Sequence, residues 1–157
     1  MRKSIKYFCY VALALYGVIM LYLLYGQRIG LSVPGTYLDR LSENYNLIPF
    51  KTVGEYTDMM FNSSNPYLRQ HAIINLFGNI IMFIPLGFLI PCISLRFRTF
   101  AEHLLACSVI ILIIEITQLF SLLGSCDIDD LILNIAGTAM GFCVFKFYKL
   151  VRNKKYG

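Results

Sequence analysis

The chain has 157 residues, 57% of them hydrophobic and 15% charged, with no Trp. A water-soluble fold of this length has too little interior to hide that much apolar surface, so a lipid bilayer is the natural solvent. The net charge of +5 comes from basic residues that edge the apolar runs. That placement suits anionic lipid head groups and gives no sign of a nucleic-acid partner.

Four apolar runs, at about 7–25, 72–95, 101–123 and 131–150, each approach the ~20 residues that span a bilayer. They predict an all-α integral membrane protein, a single domain over 1–157, with four transmembrane helices and a long extracytoplasmic loop after the first. Arg2, Lys3 and Lys6 precede the first run as they would in a signal peptide. The run is too long for one and no small-x-small cleavage site follows, so it reads as a retained anchor. Tyr7 and Tyr10 at one end, with Tyr22 and Tyr25 at the other, fit interfacial belts.

The segment that follows opens with turn residues, Gly30, Pro34 and Gly35. The stretch Asn44-Tyr45-Asn46-Leu47-Ile48-Pro49-Phe50-Lys51 is apolar enough to lie on the membrane surface. Val53, Tyr56 and Met60 then recur at helical spacing, which predicts a short interfacial helix. Asn62-Ser63-Ser64-Asn65-Pro66 ends it as a turn.

In the second run Pro85 and Pro91 flank Gly87, and proline there removes a backbone bond and predicts a kink. The fourth run carries Gly137 and Gly141 at the GxxxG spacing that permits close helix contact. Cys9, Cys92, Cys107 and Cys143 sit in or beside apolar runs, where Cys acts as a small hydrophobe. Cys126 stands apart, and with no CxxC pair neither a zinc knuckle nor a disulfide framework is indicated. His71 and His103 fall at helix ends on opposite sides of the bilayer and read as interfacial.

Charge sets the expected orientation. Arg2, Lys3 and Lys6, then Arg96 and Arg98, then Lys146, Lys149, Arg152, Lys154 and Lys155 all fall on one side of a four-helix protein. The positive-inside rule makes that side, with both termini, the cytoplasm. Asp39, Glu43, Glu55, Asp58, Asp127, Asp129 and Asp130 lie on the other.

Asn75, Asn79, Glu115, Gln118, Asp127, Asp129, Asp130 and Asn134 are the candidate binding residues. Polar and ionisable groups are costly inside a bilayer and are retained there for a reason. Counted from the outer side, Asn79 lies ~10 Å deep and Glu115 ~12 Å deep at 1.5 Å per residue, with Asn134 one to two turns into its helix. Three helices thus bring polar groups to a similar depth. Asn75 and Asn79, Glu115 and Gln118, and Asp130 and Asn134 are each spaced to share a helix face.

Bland readings stand beside this one. The carboxamides can be interhelical hydrogen-bond glue. Asp127 with Asp130 has the spacing of a helix start, where one acid caps and the other favours the dipole. Glu115 has no Lys or Arg at its depth to pair with. As chemistry, such a cluster can hold a divalent cation through oxygen ligands. It can also supply a general acid or base from Glu115, Asp127, Asp129 or Asp130, or hydrogen-bond a sugar or peptide head group. No Ser-His-Asp set, glycine-rich phosphate loop or H-E-x-x-H appears, and no cofactor is established.

Four blocks resemble the VanZ-like membrane proteins. They are Asn46-Leu47-Ile48-Pro49-Phe50-Lys51-Thr52; Asn75-Leu76-Phe77-Gly78-Asn79 with Phe83-Ile84-Pro85-Leu86-Gly87-Phe88; Glu115-Ile116-Thr117-Gln118; and Asp127-Ile128-Asp129-Asp130 with Asn134-Ile135-Ala136-Gly137. Their order and spacing match over a core of about 46–141. The resemblance implies a protein of the bacterial cytoplasmic membrane. The family's founding member is associated with low-level resistance to teicoplanin, a lipoglycopeptide that binds peptidoglycan precursors outside the membrane. Family members often carry an arginine just after the glycine preceding the acidic block; here Gly124 is followed by Ser125. If that arginine grips a phosphate or pairs the acids, this chain lacks the grip.

From residues and resemblance together, the expected role is an envelope protein whose outer-leaflet polar site binds a lipid-linked cell-wall precursor or the antibiotic. Two alternatives are a membrane-embedded hydrolase or transferase acting on a lipid head group, and a structural membrane subunit whose polar residues are glue.

Overall fold

In a computed structural model the described residues are 3–26, 29 and 35–156. They form six α-helices: α1 (Lys3–Leu24), α2 (Tyr37–Glu43), α3 (Lys51–Asn62), α4 (Pro66–Ile93), α5 (Phe100–Ser121) and α6 (Ile128–Tyr156). Two short strands, β1 (Tyr45–Asn46) and β2 (Cys126–Asp127), pair in parallel, with Tyr45 opposite Cys126 and Asn46 opposite Asp127. Helices α1, α4, α5 and α6 are long and apolar enough to cross a membrane. With no water in a bilayer core to satisfy backbone groups, helices of this kind meet the need internally. Bulky side chains such as Leu15, Ile113 and Phe147 point outward, as lipid-facing positions do.

The helix ends differ from the apolar runs in instructive ways. Helix α4 begins at Pro66, six residues before the expected 72, because Asn65 caps it and proline suits its first turn. The Asn65 Oδ1 accepts the N–H of Tyr67 at 2.9 Å. The intervening Arg69, Gln70 and His71 are helical but too polar for a hydropathy run. Helix α4 continues through Pro85 and Pro91 without a break, and the carbonyl of Pro91, in the last turn of the helix, accepts from Arg98 Nε at 3.1 Å. The turn expected at Gly30 and Pro34 lies outside the described residues.

Helix α4 is the axis of the bundle, packed by α1, α3, α5 and α6. Its closest partner is α6, and glycine explains why. A Cβ at Gly137 would fall 2.2 Å from the Ile80 carbonyl oxygen, one at Gly141 2.1 Å from that of Ile84, and one at Gly87 2.1 Å from that of Thr138. Backbone meets backbone at this crossing, as small residues allow. Around it, Met20, Phe83, Leu86, Ile90, Cys107 and Ile111 form one core cluster. Cys9, Leu89, Cys92, Phe142 and Phe145 form a second, nearer the chain termini.

His103 corrects an expectation. It is fully buried rather than interfacial, stacked on Phe142 with ring centroids 4.7 Å apart and with Nε2 3.5 Å from Cys107 Sγ. A helix end that packs against a neighbour buries what hydropathy alone leaves at the surface.

Candidate functional site

The candidate residues gather at the end of the bundle away from the chain termini, where the connection between α1 and α4 folds over α5 and α6. Within that connection, Thr36 and Asp39 form a capping box that starts α2. The hydrogen bonds from Thr36 hold the exposed Asp39 carboxyl below its ordinary range. Tyr37 Oη then donates to the Phe120 carbonyl at 3.0 Å, fixing α2 to the end of α5. Tyr25 Oη and Thr117 Oγ1 lie 2.5 Å apart, so Tyr25 packs on α5 in addition to sitting at a helix end.

Asn44 joins the connection to the entry of α6. Its carbonyl accepts from the N–H of Cys126 at 2.9 Å, and its Nδ2 donates to the Gly124 carbonyl at 2.8 Å. Asn46 continues the seam. Its Oδ1 accepts the N–H of Ile48 at 3.2 Å, while its Nδ2 donates to Thr52 Oγ1 at 2.9 Å and to Asp127 Oδ1 at 3.3 Å.

Asp127 and Asp129 are committed to this seam. Asp127 accepts from Thr52 Oγ1 at 2.5 Å and from the Asp129 N–H at 2.8 Å, which caps α6 in the manner its spacing implies. Asp129 is fully buried and accepts two backbone N–H groups of another helix, Phe50 at 2.6 Å and Val53 at 3.0 Å. The N-cap residue of α3 is Phe50, which has left-handed φ 64° and offers no side-chain cap of its own. The carboxylate at the start of α6 therefore caps α3, meeting both the orphan donors and the positive end of the helix dipole.

Deeper in the bundle lie Glu115 and Asn134, each 3% exposed. Asn134 Nδ2 donates to Glu115 Oε1 at 3.3 Å, and the Asp127 N–H donates to Glu115 Oε2 at 3.4 Å. Both partners are neutral, and both bonds are long. Asp130 and Asp127 lie within electrostatic range of Glu115. Asp130 in turn accepts from Asn79 Nδ2 across the α4–α6 boundary.

One buried group in this region is unspent. The buried Oδ1 of Asn134 has no hydrogen-bond partner among the described residues. Gln118, on the same helix as Glu115, is buried as well. Asn75 stands apart: its Nδ2 donates to the His71 carbonyl at 2.7 Å within α4, and His71 packs edge-on against Tyr56 of α3.

The structure thus links Glu115, Asn134 and Asp127, joins Asn79 to Asp130, and ties Asp129 to α3. Asn46 and Thr52 belong to the same network and were not among the candidates. Their block in the family resemblance was the signal, since neither lies in a membrane run. Among the described residues no group of three or more His, Cys, Asp or Glu is arranged to hold a metal ion. Ser125 is exposed at the rim. Its neighbour Cys126 is half-buried, and burial, then Glu115 and Asp127 nearby, push its thiol up from the ordinary range.

No curated protein and no solved structure matches the chain. A family model described as VanZ/LLP1 matches residues 8–150, nearly the whole length. The chain belongs to the VanZ-like family.

Proposed function

We propose that this is a multi-pass protein of the bacterial cytoplasmic membrane, with both termini cytoplasmic and the polar cluster in the outer leaflet. There it binds a lipid-linked cell-wall precursor, or the antibiotic itself, and lowers susceptibility to teicoplanin and related lipoglycopeptides. The grouping of basic residues near both termini and at Arg96 and Arg98 supports the orientation.

The observation that carries the reading is the unequal use of the polar groups. Asp127 and Asp129 are spent on capping and on the seam. The Asn134 Oδ1 is buried with no partner among the described residues. Leaving such a group unpaired costs about 1–3 kcal/mol, which a ligand hydroxyl or amide arriving at the cluster would recover. In this reading Glu115, Gln118 and Asn134 contact the ligand, and Asn79 and Asp130 border it. Asn75 lies toward the mouth, and Asp127 and Asp129 hold the frame.

Teicoplanin susceptibility of a Gram-positive host expressing wild type or Glu115→Gln tests the role, with membrane levels of both proteins measured alongside. Wild type should raise tolerance, and an equally abundant Glu115→Gln should not. Equal protection by the two proteins, or none by wild type, would overturn the reading.

The closeness of Asp130 and Asp127 to Glu115 favours one alternative, a hydrolase or transferase acting on a lipid head group with Glu115 as general acid or base. Such an enzyme would change the host's lipid profile, in a way that Glu115→Gln abolishes and that added divalent cation enhances if a metal takes part. An unchanged profile on expression would rule against it.

A further inference from the structure

We propose that Leu47-Ile48-Pro49-Phe50 is a rigid apolar prong that inserts into the head-group boundary of the same bilayer that the long helices cross. Leu47, Ile48 and Phe50 are 65%, 62% and 66% exposed, three large apolar side chains within four residues. The turn that presents them is held at both ends. Asn46 fastens one end, through Asp127 and its own bond to the Ile48 N–H. Asp129 fastens the other by accepting the Phe50 N–H at 2.6 Å.

Phe50 also adopts left-handed φ 64°, a conformation that bulky residues rarely enter and that persists only where the surroundings impose it. The backbone there serves the bond to Asp129, while the ring itself is 66% exposed and adds nothing to the core. What remains is to identify what receives the ring.

Depth identifies the receiver. Asp129 is in the first turn of α6, and the membrane-length stretch of α6 begins at Ile128. The Phe50 backbone, in contact with Asp129, is therefore level with the start of a span. The medium at that level is the boundary between head groups and acyl chains, where exposed aromatic and aliphatic groups are stabilised. Lys51, exposed at the root of the prong, supplies a cation for lipid phosphate. The prong needs only the membrane, so it holds whichever ligand the polar cluster takes.

The chain contains no Trp, so one introduced indole reports its surroundings without background. The full-length protein carrying Phe50→Trp, and separately Leu47→Trp in case the left-handed position rejects the larger ring, is placed in phosphatidylcholine–phosphatidylglycerol nanodiscs built on a Trp-free scaffold protein. The expected result is blue-shifted emission, with most of it lost when lipids brominated near the top of the acyl chain replace the ordinary ones, and little lost to iodide. Water-like emission quenched by iodide would overturn the proposal. Blue-shifted emission that neither quencher reaches would also overturn it, and would assign the prong to a protein contact such as a second copy.

Discussion

The carboxylate of Asp129 holds the backbone N–H of Phe50 at 2.6 Å across 79 residues of sequence. One acid in the first turn of α6 thereby starts α3 and fastens the α1–α4 connection over the polar cluster. Two of the blocks that carry the family resemblance, Asn46 to Thr52 and Asp127 to Asp130, prove to be two sides of this one seam.

Replacing Asp129 should accordingly be a structural lesion. Asp129→Ala removes two charge-assisted bonds and leaves two backbone donors without their acceptor, for a loss of roughly 3 kcal/mol. Hydrogen exchange of the protein in nanodiscs should show α3 losing protection first, while α5 keeps its own. Glu115→Gln preserves shape and an acceptor for Asn134 but gives up the acceptor for the Asp127 N–H, so it should cost no more than about 1 kcal/mol and leave the exchange of α3 close to wild type. Equal loss of protection in the two variants would contradict this division of labour.

The glycines of the α4–α6 crossing offer a sharper contrast. Gly141→Ala would put a methyl group 2.1 Å from the Ile84 carbonyl oxygen, whereas Gly78→Ala on the same α4 meets nothing within 4 Å. We expect the first to cost at least the ~1–3 kcal/mol typical of overpacking, because backbone cannot yield as a side chain can. The second should be neutral or gain up to about 1 kcal/mol of helix propensity. Thermal unfolding of both variants in one detergent checks the order.

Cys126 provides a pH-dependent readout of the same region. Its thiol is pushed up by burial and by Glu115 and Asp127 nearby, and thiolate is the species that alkylates. At pH 8 the folded protein should therefore react more slowly with iodoacetamide than the denatured chain, with the gap closing as pH rises through the folded value. Reaction at the denatured rate across that range would show that the thiol is not perturbed.

Orientation can be checked with the exposed positions Glu55 and Asn153. With Cys126 changed to Ser, a membrane-impermeant maleimide should label Glu55→Cys in intact cells and Asn153→Cys only after lysis. The reverse pattern would place the cluster in the inner leaflet.

Much of this was legible in the sequence, for local reasons. Twenty apolar residues make a span wherever they occur, so α1, α4, α5 and α6 were visible, though Asn65, Pro66 and the basic tail of α6 moved their ends. Val53, Tyr56 and Met60 marked α3 by period, and the spacing of Asp127 and Asp130 marked a helix start. The role of Asp129 was not legible, since nothing local says that its partners are the N–H groups of Phe50 and Val53. The two-residue pairing of β1 with β2 is too short to show any period. Helix α2 escaped notice because its signal is the capping box at Thr36 and Asp39 rather than an apolar face.

The most direct test of the central claim is binding to purified protein in nanodiscs, with a lipid-linked peptidoglycan precursor and teicoplanin titrated separately. Wild type should bind at least one of them saturably, with affinity reduced about tenfold or more in Glu115→Gln, equivalent to ~1.4 kcal/mol or more. Thermal stability of that variant should fall by no more than the ~1 kcal/mol of the lost Asp127 N–H bond. Absence of saturable binding to either compound, or equal binding by both proteins, would contradict the account.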